Sequence, residues 1–125
     1  MASVQSYRDL IVWQKAMALA AICYTKTRPI PQSEIYGMTS QIRRAAASVP
    51  ANIAEGNGRE NTGSYIQFLR VSQGSLKELE THVLLANTVG LMDKESSEEI
   101  LDHCEQVGKL LRSLIRALQQ KKPQP

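Results

Sequence analysis

The side chains that could support nucleophilic catalysis are few and scattered along the chain. Such sites place a Ser or Cys beside a base and an orienting acid. The two histidines, His82 and His103, have no Gly-x-Ser-x-Gly or equivalent motif around them. Glu78 stands four residues before His82, a spacing that is typical of a surface ion pair on a helix. We therefore predict no catalytic residue and do not expect the protein to be an enzyme.

Metal-binding patterns are also missing from the sequence. A di-iron site in a helical bundle needs Glu-x-x-His pairs that point inward. Glu99-x-x-Asp102 comes nearest, but it precedes His103 in the wrong register. Cys23 and Cys104 lie far apart without a CxxC motif, and we expect both to be buried free thiols, since unpaired cysteine is among the most buried residue types. We expect no metal and no cofactor, and no small-molecule substrate is indicated.

Basic residues form the one pattern that points to a ligand. The candidates for contacting nucleic acid are Arg43, Arg44, Arg59, Arg70 and Lys77. Guanidinium groups bind phosphates, and a positive helix face can follow a nucleic-acid backbone. The alternative is pairing within the protein, for example between Glu55 and Arg59, or between Glu55 and Arg44 through a polar stripe. That stripe includes Ser48 and Asn52. No aromatic platform accompanies these arginines in the sequence, which argues against stacking of single strands.

The elements that must position these residues are predicted to be helices. The chain has 125 residues and 42% apolar content, enough for one domain with its own core. Seven glycines and five prolines leave few turns, which suits a few long helices better than many strands. We predict an all-α, antiparallel up-down-up-down four-helix bundle over residues 1–125, with an ordered core of about 7–120, because short connections place sequential helices antiparallel.

Helix one is predicted from about Leu10 to Thr27, with Asp9 as a cap or first-turn acid and the Pro29-Ile30-Pro31 segment as its end. Its predicted core face is Leu10, Trp13, Met17, Ala20 and Tyr24.

Helix two is predicted from about Met38 to Glu55, with Thr39 and Ser40 as possible caps. Its apolar line is Met38, Ile42, Ala45 or Ala46, Val49 and Ile53. Pro50 lies inside this pattern and removes one amide donor, so we predict a kink there rather than two shorter helices. Alanines and Ser48 surround this helix, which allows neighbours to approach on more than one side.

Helices three and four carry heptad seams that are typical of bundle helices. The seam of helix three is Tyr65, Leu69, Ser72, Leu76, Leu79, Val83 and Ala86, and that of helix four is Ile100, Cys104, Val107, Leu111, Leu114 and Leu118. Helix three is predicted to begin at a cap among Asn61, Thr62 and Ser64 and to end at Gly90. Gly74, in its middle, suggests a close approach of another helix. Helix four should run from about Lys94 to Gln120, capped by Asp93 or by a Ser96–Glu99 capping box, and Lys121–Pro125 is expected to be a frayed tail.

Charge is distributed unevenly although the formal net charge is only +3. Residues 1–70 carry 8 basic and 4 acidic side chains, whereas residues 71–105 carry 2 basic and 8 acidic ones. A basic region can attract nucleic acid. No apolar run approaches the length of a membrane span and no signal-peptide pattern is present, so we expect a cytoplasmic protein without membrane contact.

Several blocks of sequence, taken in order, resemble a known family. They are Tyr7–Ala16 (YRDLIVWQKA), Tyr36–Ala46 (YGMTSQIRRAA), Val49–Gly56 (VPANIAEG), Phe68-Leu69, Gly74–Leu76 and Glu78–Thr81. Together they resemble the small four-helix bundle family named after proteins encoded in intervening sequences of bacterial 23S ribosomal RNA genes. The match spans about residues 7–118.

This resemblance implies a bundle that assembles as a ring-like homopentamer. The family is also similar in fold to the accessory variability determinant of diversity-generating retroelements, which engages a reverse transcriptase and nucleic acid. By the resemblance, Arg43, Arg44 and Arg59 are the motif arginines that become candidate contact residues. Asn52 and Glu55 would instead hold the end of helix two in place.

Two functions remain open from the sequence. The first is a non-enzymatic, homo-oligomeric interaction module. Its basic rim could bind RNA, DNA or a nucleic-acid enzyme. The alternative is a structural or protein-docking bundle without nucleic-acid binding, in which the arginines form salt bridges.

Overall fold

The structure, a computed structural model, describes residues 6–120 and contains four helices and no strand within that range. The helices are α1 (Ile11–Thr27), α2 (Met38–Asn57), α3 (Thr62–Thr88) and α4 (Lys94–Gln119). One 3-10 turn, Tyr7–Asp9, precedes α1, and another, Gln32–Glu34, lies between α1 and α2. The predicted fold class is confirmed. The tail predicted at Lys121–Pro125 lies outside the described residues.

The four helices pack as a square in which each helix contacts two neighbours. α1 packs against α2 and α4, and α3 packs against the same two helices, whereas the diagonal pairs make no contact within residues 6–120. Short connections between consecutive helices give the up-down-up-down order. The most extensive contact is between α2 and α3, because small residues on α2 allow the two backbones to approach closely.

Three of the four predicted core faces are confirmed. The buried positions of α3 and α4 follow their heptad seams, with Tyr65 and Leu114 only partly buried against the core. In α2, Ile42, Val49 and Ile53 are fully buried, as are both alternatives at Ala45 and Ala46 to within a few per cent. These seams have one apolar side each, so the periodicity determines which side turns inward.

The predicted core face of α1 is wrong at two positions. Met17 and Tyr24 are 44% and 45% exposed. The residues that α1 buries are Val12, Ala16, Leu19, Ala20, Cys23 and Thr27. Apolar residues occur almost all around this helix, so the sequence pattern does not select one face. The consequence is an apolar side of α1 that no other part of the described chain covers.

Helix α2 continues through Pro50 as one helix, so the alternative of two shorter helices is wrong. The carbonyl just before this proline, that of Val49, accepts a hydrogen bond from the buried Ser72 hydroxyl on α3 at 2.8 Å. One turn away, Ser48 and Ser75 share a hydrogen bond of 2.8 Å between their hydroxyls. A polar seam therefore joins α2 to α3 beside the proline, and the kink expected at Pro50 stays a prediction.

The predicted starts of all four helices are confirmed to within one residue. The caps predicted for α3 and α4 are confirmed, but those predicted for α1 and α2 are wrong, because the cap positions are Leu10 and Gly37 and neither gives a side-chain cap. Leu10 precedes α1 without a side-chain cap, and the α2 amide of Met38 donates to Oε1 of Glu34 at 3.0 Å. The α3 cap is Asn61, whose Oδ1 accepts from Ser64 N at 2.7 Å. The α4 cap is Asp93, which does the same for Ser96 N.

Gly90 ends the α3 region as predicted, because it adopts φ +83°, a conformation that side chains rarely tolerate. Its amide donates to Asn87 O at 3.1 Å and the next amide, of Leu91, donates to Ala86 O at 2.8 Å. These two bonds define a Schellman ending, which satisfies carbonyls that the helix leaves without partners.

Candidate functional site

Arg43, the first predicted contact residue, is held in place by α1. Its Nε donates to the hydroxyl of the buried Thr27 at 2.9 Å, and its guanidinium carbon lies 4.7 Å from the centre of the Tyr24 ring. Thr27 in turn donates to the carbonyl of Cys23 at 2.7 Å. The arginine therefore has a fixed orientation, while Nη1 and Nη2 make no hydrogen bond within residues 6–120.

Arg44 follows on the same helix and lines two depressions, one of which it shares with Arg43. It is exposed and makes no hydrogen bond or ion pair with any described residue. It lines a polar groove between α2 and α3 together with Gln41, Ser48 and Glu78. The predicted pairing of Arg44 with Glu55 is not formed, because the two residues lie eleven positions apart on one helix, about 16 Å along its axis.

Arg59 and Lys77 have acidic partners, and Arg70 does not. Arg59 Nη2 lies 3.2 Å from Glu55 Oε2, which confirms the predicted pairing, and its guanidinium carbon lies 4.7 Å from the Phe68 ring centre. Lys77 Nζ lies 3.2 Å from Glu80 Oε1. Both ion pairs are largely exposed and so are worth little for stability. Arg70 is exposed on α3 and has no partner within residues 6–120.

The five predicted residues do not form one continuous patch. Arg43 and Arg44 lie in the first two turns of α2, whereas Arg59 follows its last residue, Asn57. At 1.5 Å per residue these two positions are about 20 Å apart along the helix axis. Arg70 and Lys77 lie on α3. The structure therefore places the predicted basic residues at separate ends and faces of the bundle.

An apolar groove runs between α1 and α2, and we call it the α1–α2 groove. It has a volume of about 500 Å³. Its walls are formed by Tyr7, Trp13, Met17, Ala20, Ala21, Tyr24, Ala47, Pro50, Ala51 and Ala54. The α2 wall consists mainly of short alanine side chains, and the α1 wall carries the larger side chains of the exposed side of that helix. Neither wall contains a charged residue.

A second depression opens where α1, the following connection and the start of α2 meet, and we call it the Tyr36 pocket. Its volume is about 350 Å³. Its walls are Tyr24, Ile35, Tyr36, Thr39, Ser40, Arg43, Arg44 and Ala47. Tyr36 is 95% exposed, the most exposed of the large apolar side chains in the described chain. The pocket combines aromatic rings, hydroxyls and two guanidinium groups.

None of the described histidines and cysteines lines the α1–α2 groove or the Tyr36 pocket. Among residues 6–120, no three His, Cys, Asp or Glu side chains are grouped so that they could hold a metal ion. His82 Nε2 is buried without a hydrogen bond, 3.5 Å from Glu78 Oε2, in the pairing that the sequence predicted. Burial raises the pKa of Cys23 to about 12. Burial, followed by the nearby Cys23, also raises the pKa of Cys104.

Fold and surface together define a small all-α four-helix bundle whose prominent surface features are an apolar groove and an aromatic, basic pocket. The model of the 23S rRNA-intervening sequence protein family matches residues 8–113, and the chain belongs to this family. The family that the sequence blocks resemble is thereby confirmed.

Solved structures include proteins of the same fold. One of them is described as a protein with unknown function from the S23 ribosomal protein family of Bacteroides thetaiotaomicron. It is 24% identical to this chain, covers 84% of this chain and 98% of its own, and superposes with a TM-score of 0.76. No curated protein matches the sequence. Within the described part of the chain, the helices fall short of the length and apolar character needed to cross a membrane.

Tyr24 and Tyr36 are pocket-lining residues that the sequence analysis did not include among the candidates. The expectation that no aromatic platform accompanies the arginines is wrong, because both rings line the same pocket as Arg43 and Arg44. Tyr36 lies seven residues before Arg43 and is separated from it by the start of a helix. The sequence signal that could have identified this pocket was Tyr36 itself, a tyrosine that precedes Gly37 in the connection and belongs to no helical apolar pattern.

Proposed function

We propose that this protein is a non-enzymatic interaction module that assembles from identical copies through the α1–α2 groove. The observation that carries the proposal is the groove itself, an apolar surface formed by two neighbouring helices that no described residue covers. Exposed apolar patches with polar surroundings mark interaction sites on soluble proteins. A ring of five copies is the assembly that the family resemblance implies.

A second copy of the chain suits the groove for two reasons. The first 70 residues, which include both groove helices, are net basic, whereas residues 71–105 are net acidic. Copies can therefore approach with opposite charges facing each other. In addition, α3 exposes a separate apolar cluster at its end, formed by Leu84, Leu85 and Val89. Two different apolar surfaces with opposite local charge allow one face of a copy to bind the other face of the next copy, which is the kind of contact that builds a ring.

The first test is the oligomeric state of a groove variant. Ala51 is exposed in the wall of the groove, so Ala51→Glu introduces a charge there without disturbing the core. We expect light scattering to give a multiple of the chain mass for the wild type at micromolar concentration. The variant should be a monomer, since an unpaired carboxylate buried at an apolar contact is strongly unfavourable.

Ala117→Glu provides the matched control for this experiment. Ala117 is exposed on α4, and it does not line the groove. The control should retain the mass of the wild type and the same helical circular dichroism. A monomeric wild type would overturn the proposal, and so would an Ala51→Glu variant that assembles as the wild type does.

A further inference from the structure

The Tyr36 pocket brings together two kinds of group that recognise nucleotides. Tyr36 exposes 95% of its surface, and Tyr24, on the other side, is 45% exposed. Aromatic rings of this kind provide stacking surfaces for unpaired bases. Arg43 and Arg44 stand in the same wall, together with the hydroxyl-bearing Ser40. This concave surface therefore offers both contacts that a single strand makes, stacking of a base on an aromatic ring and binding of a phosphate by a guanidinium group.

The cations in this pocket are available for a ligand. Arg43 uses only Nε within the protein, and its contact with the Tyr24 ring fixes the plane in which Nη1 and Nη2 lie. Arg44 has no partner among the described residues. The nearest acid in the sequence, Glu34, is occupied because its Oε1 accepts the first amide of α2. Glu78, which lines the polar groove with Arg44, lies beside His82, with 3.5 Å between its Oε2 and His82 Nε2. No carboxylate of the described chain therefore forms an ion pair with either guanidinium group.

We infer that the Tyr36 pocket binds single-stranded nucleic acid, with a base stacked on Tyr36 and a neighbouring phosphate held by Arg43 and Arg44. This inference goes beyond self-assembly through the α1–α2 groove, which lies nearer the other end of α2 and shares Tyr24 and Ala47 with the pocket. A duplex presents phosphates but no free base face, so it can satisfy the arginines but not the ring. A single strand satisfies both, and its contacts with the ring tolerate any base sequence.

The test measures binding of labelled oligothymidylate and oligouridylate of about 15 nucleotides by fluorescence anisotropy at low salt. Tyr36→Ala should weaken binding roughly ten- to hundredfold, because one stacked base is lost. Tyr36→Phe keeps the ring and should bind as the wild type does. Arg44→Gln should weaken binding and lower the slope of log affinity against log salt by about 0.7, as expected for one phosphate contact to a single strand.

Two controls separate this pocket from general charge and from assembly. Arg70→Gln removes an exposed cation that has no aromatic neighbour in the pocket, and it should change affinity by much less than Arg44→Gln. The oligomeric state of each variant is measured alongside, and it should equal that of the wild type. The inference is overturned if the wild type binds neither probe, if a matched duplex binds equally well, or if Tyr36→Ala leaves affinity unchanged. It is equally overturned if Tyr36→Ala acts by dissociating the assembly. Self-assembly through the groove could still hold after the first three of these results.

Discussion

Gly56 and Gly74 both lie inside helices, but their surroundings give them opposite roles. A Cβ atom added to Gly56 would lie 2.8 Å from Cβ of Phe68 and 3.1 Å from the Tyr65 ring. Close contact between α2 and α3 thus depends on the missing side chain. A Cβ at Gly74 would have no described neighbour within 4 Å, so the predicted close approach at Gly74 is wrong for residues 6–120. The sequence could not distinguish the two, because spacing does not show which neighbour stands opposite.

Alanine substitutions at these two glycines should change stability in opposite directions. Gly56→Ala should lower the free energy of unfolding by about 1–2 kcal/mol, since overpacking against a backbone-near carbon outweighs the gain in helix propensity. Gly74→Ala should raise it by about 0.5–1 kcal/mol, because alanine restricts the unfolded chain and meets open space. Urea unfolding, followed by circular dichroism at one protein concentration, measures both. Shifts of the same sign would contradict the packing described for α2 and α3.

Helices three and four were the elements that the sequence predicted best. Each has one apolar seam and a capping residue, Asn61 or Asp93, directly before its first turn. Helix one has neither: apolar residues surround it, and Leu10 gives no side-chain cap. Its orientation is set by what α2 and α4 leave open, which is tertiary information. The same ambiguity hid the α1–α2 groove, because Met17 and Tyr24 were assigned to the core.

The α4 cap should make a contribution to stability that depends on pH. Hydrogen bonds from Ser96 lower the pKa of Asp93 in the folded protein. Because the pKa of Asp93 is lower in the folded than in the unfolded state, its charge stabilises the fold at pH values above the unfolded-state pKa of about 3.9. This stabilisation is lost as the pH falls through the lower pKa of the folded state. The destabilisation caused by Asp93→Ala should therefore be larger near pH 7 than at about pH 2, measured by urea unfolding at both values.

Asn61→Ala is the matched control for this cap. Asn61 makes the same 2.7 Å bond to the third residue of α3, but its amide does not titrate in this range. Its loss should destabilise the protein by about 1 kcal/mol at both pH values. If Asp93→Ala and Asn61→Ala show the same dependence on pH, the carboxylate charge at Asp93 is not the cause.

At the scale of the whole molecule, the sequence predicted the bundle but not its candidate sites. The Tyr36 pocket takes Tyr24 from α1, Tyr36 from a connection, and Arg43 and Arg44 from α2. Residues so distant in the chain meet only because α1 and α2 pack side by side. The basic rim predicted from the arginines alone is divided for the same reason, since helix direction sends Arg59 to the opposite end from Arg43.

The two core thiols report on how the whole bundle opens. Cys23 on α1 and Cys104 on α4 are fully buried, and burial raises the pKa of both, so neither should react in the folded protein. Labelling with a thiol reagent should be slower than at an exposed cysteine, introduced by Ala117→Cys, by a factor on the order of a thousand or more. Because α1 and α4 are packed neighbours, both native thiols should react together in one opening step.

Concentration adds a link between this opening and self-assembly. If copies of the chain cover the α1–α2 groove, association stabilises the folded state by mass action, and labelling of the wild type should slow as protein concentration rises. The Ala51→Glu variant should label at a rate independent of concentration, because its groove no longer accepts a copy. Rapid reaction of Cys23 alone would show that α1 opens locally. A wild-type rate independent of concentration would show that assembly leaves the stability of the bundle unchanged, which is incompatible with contact through two of its four helices.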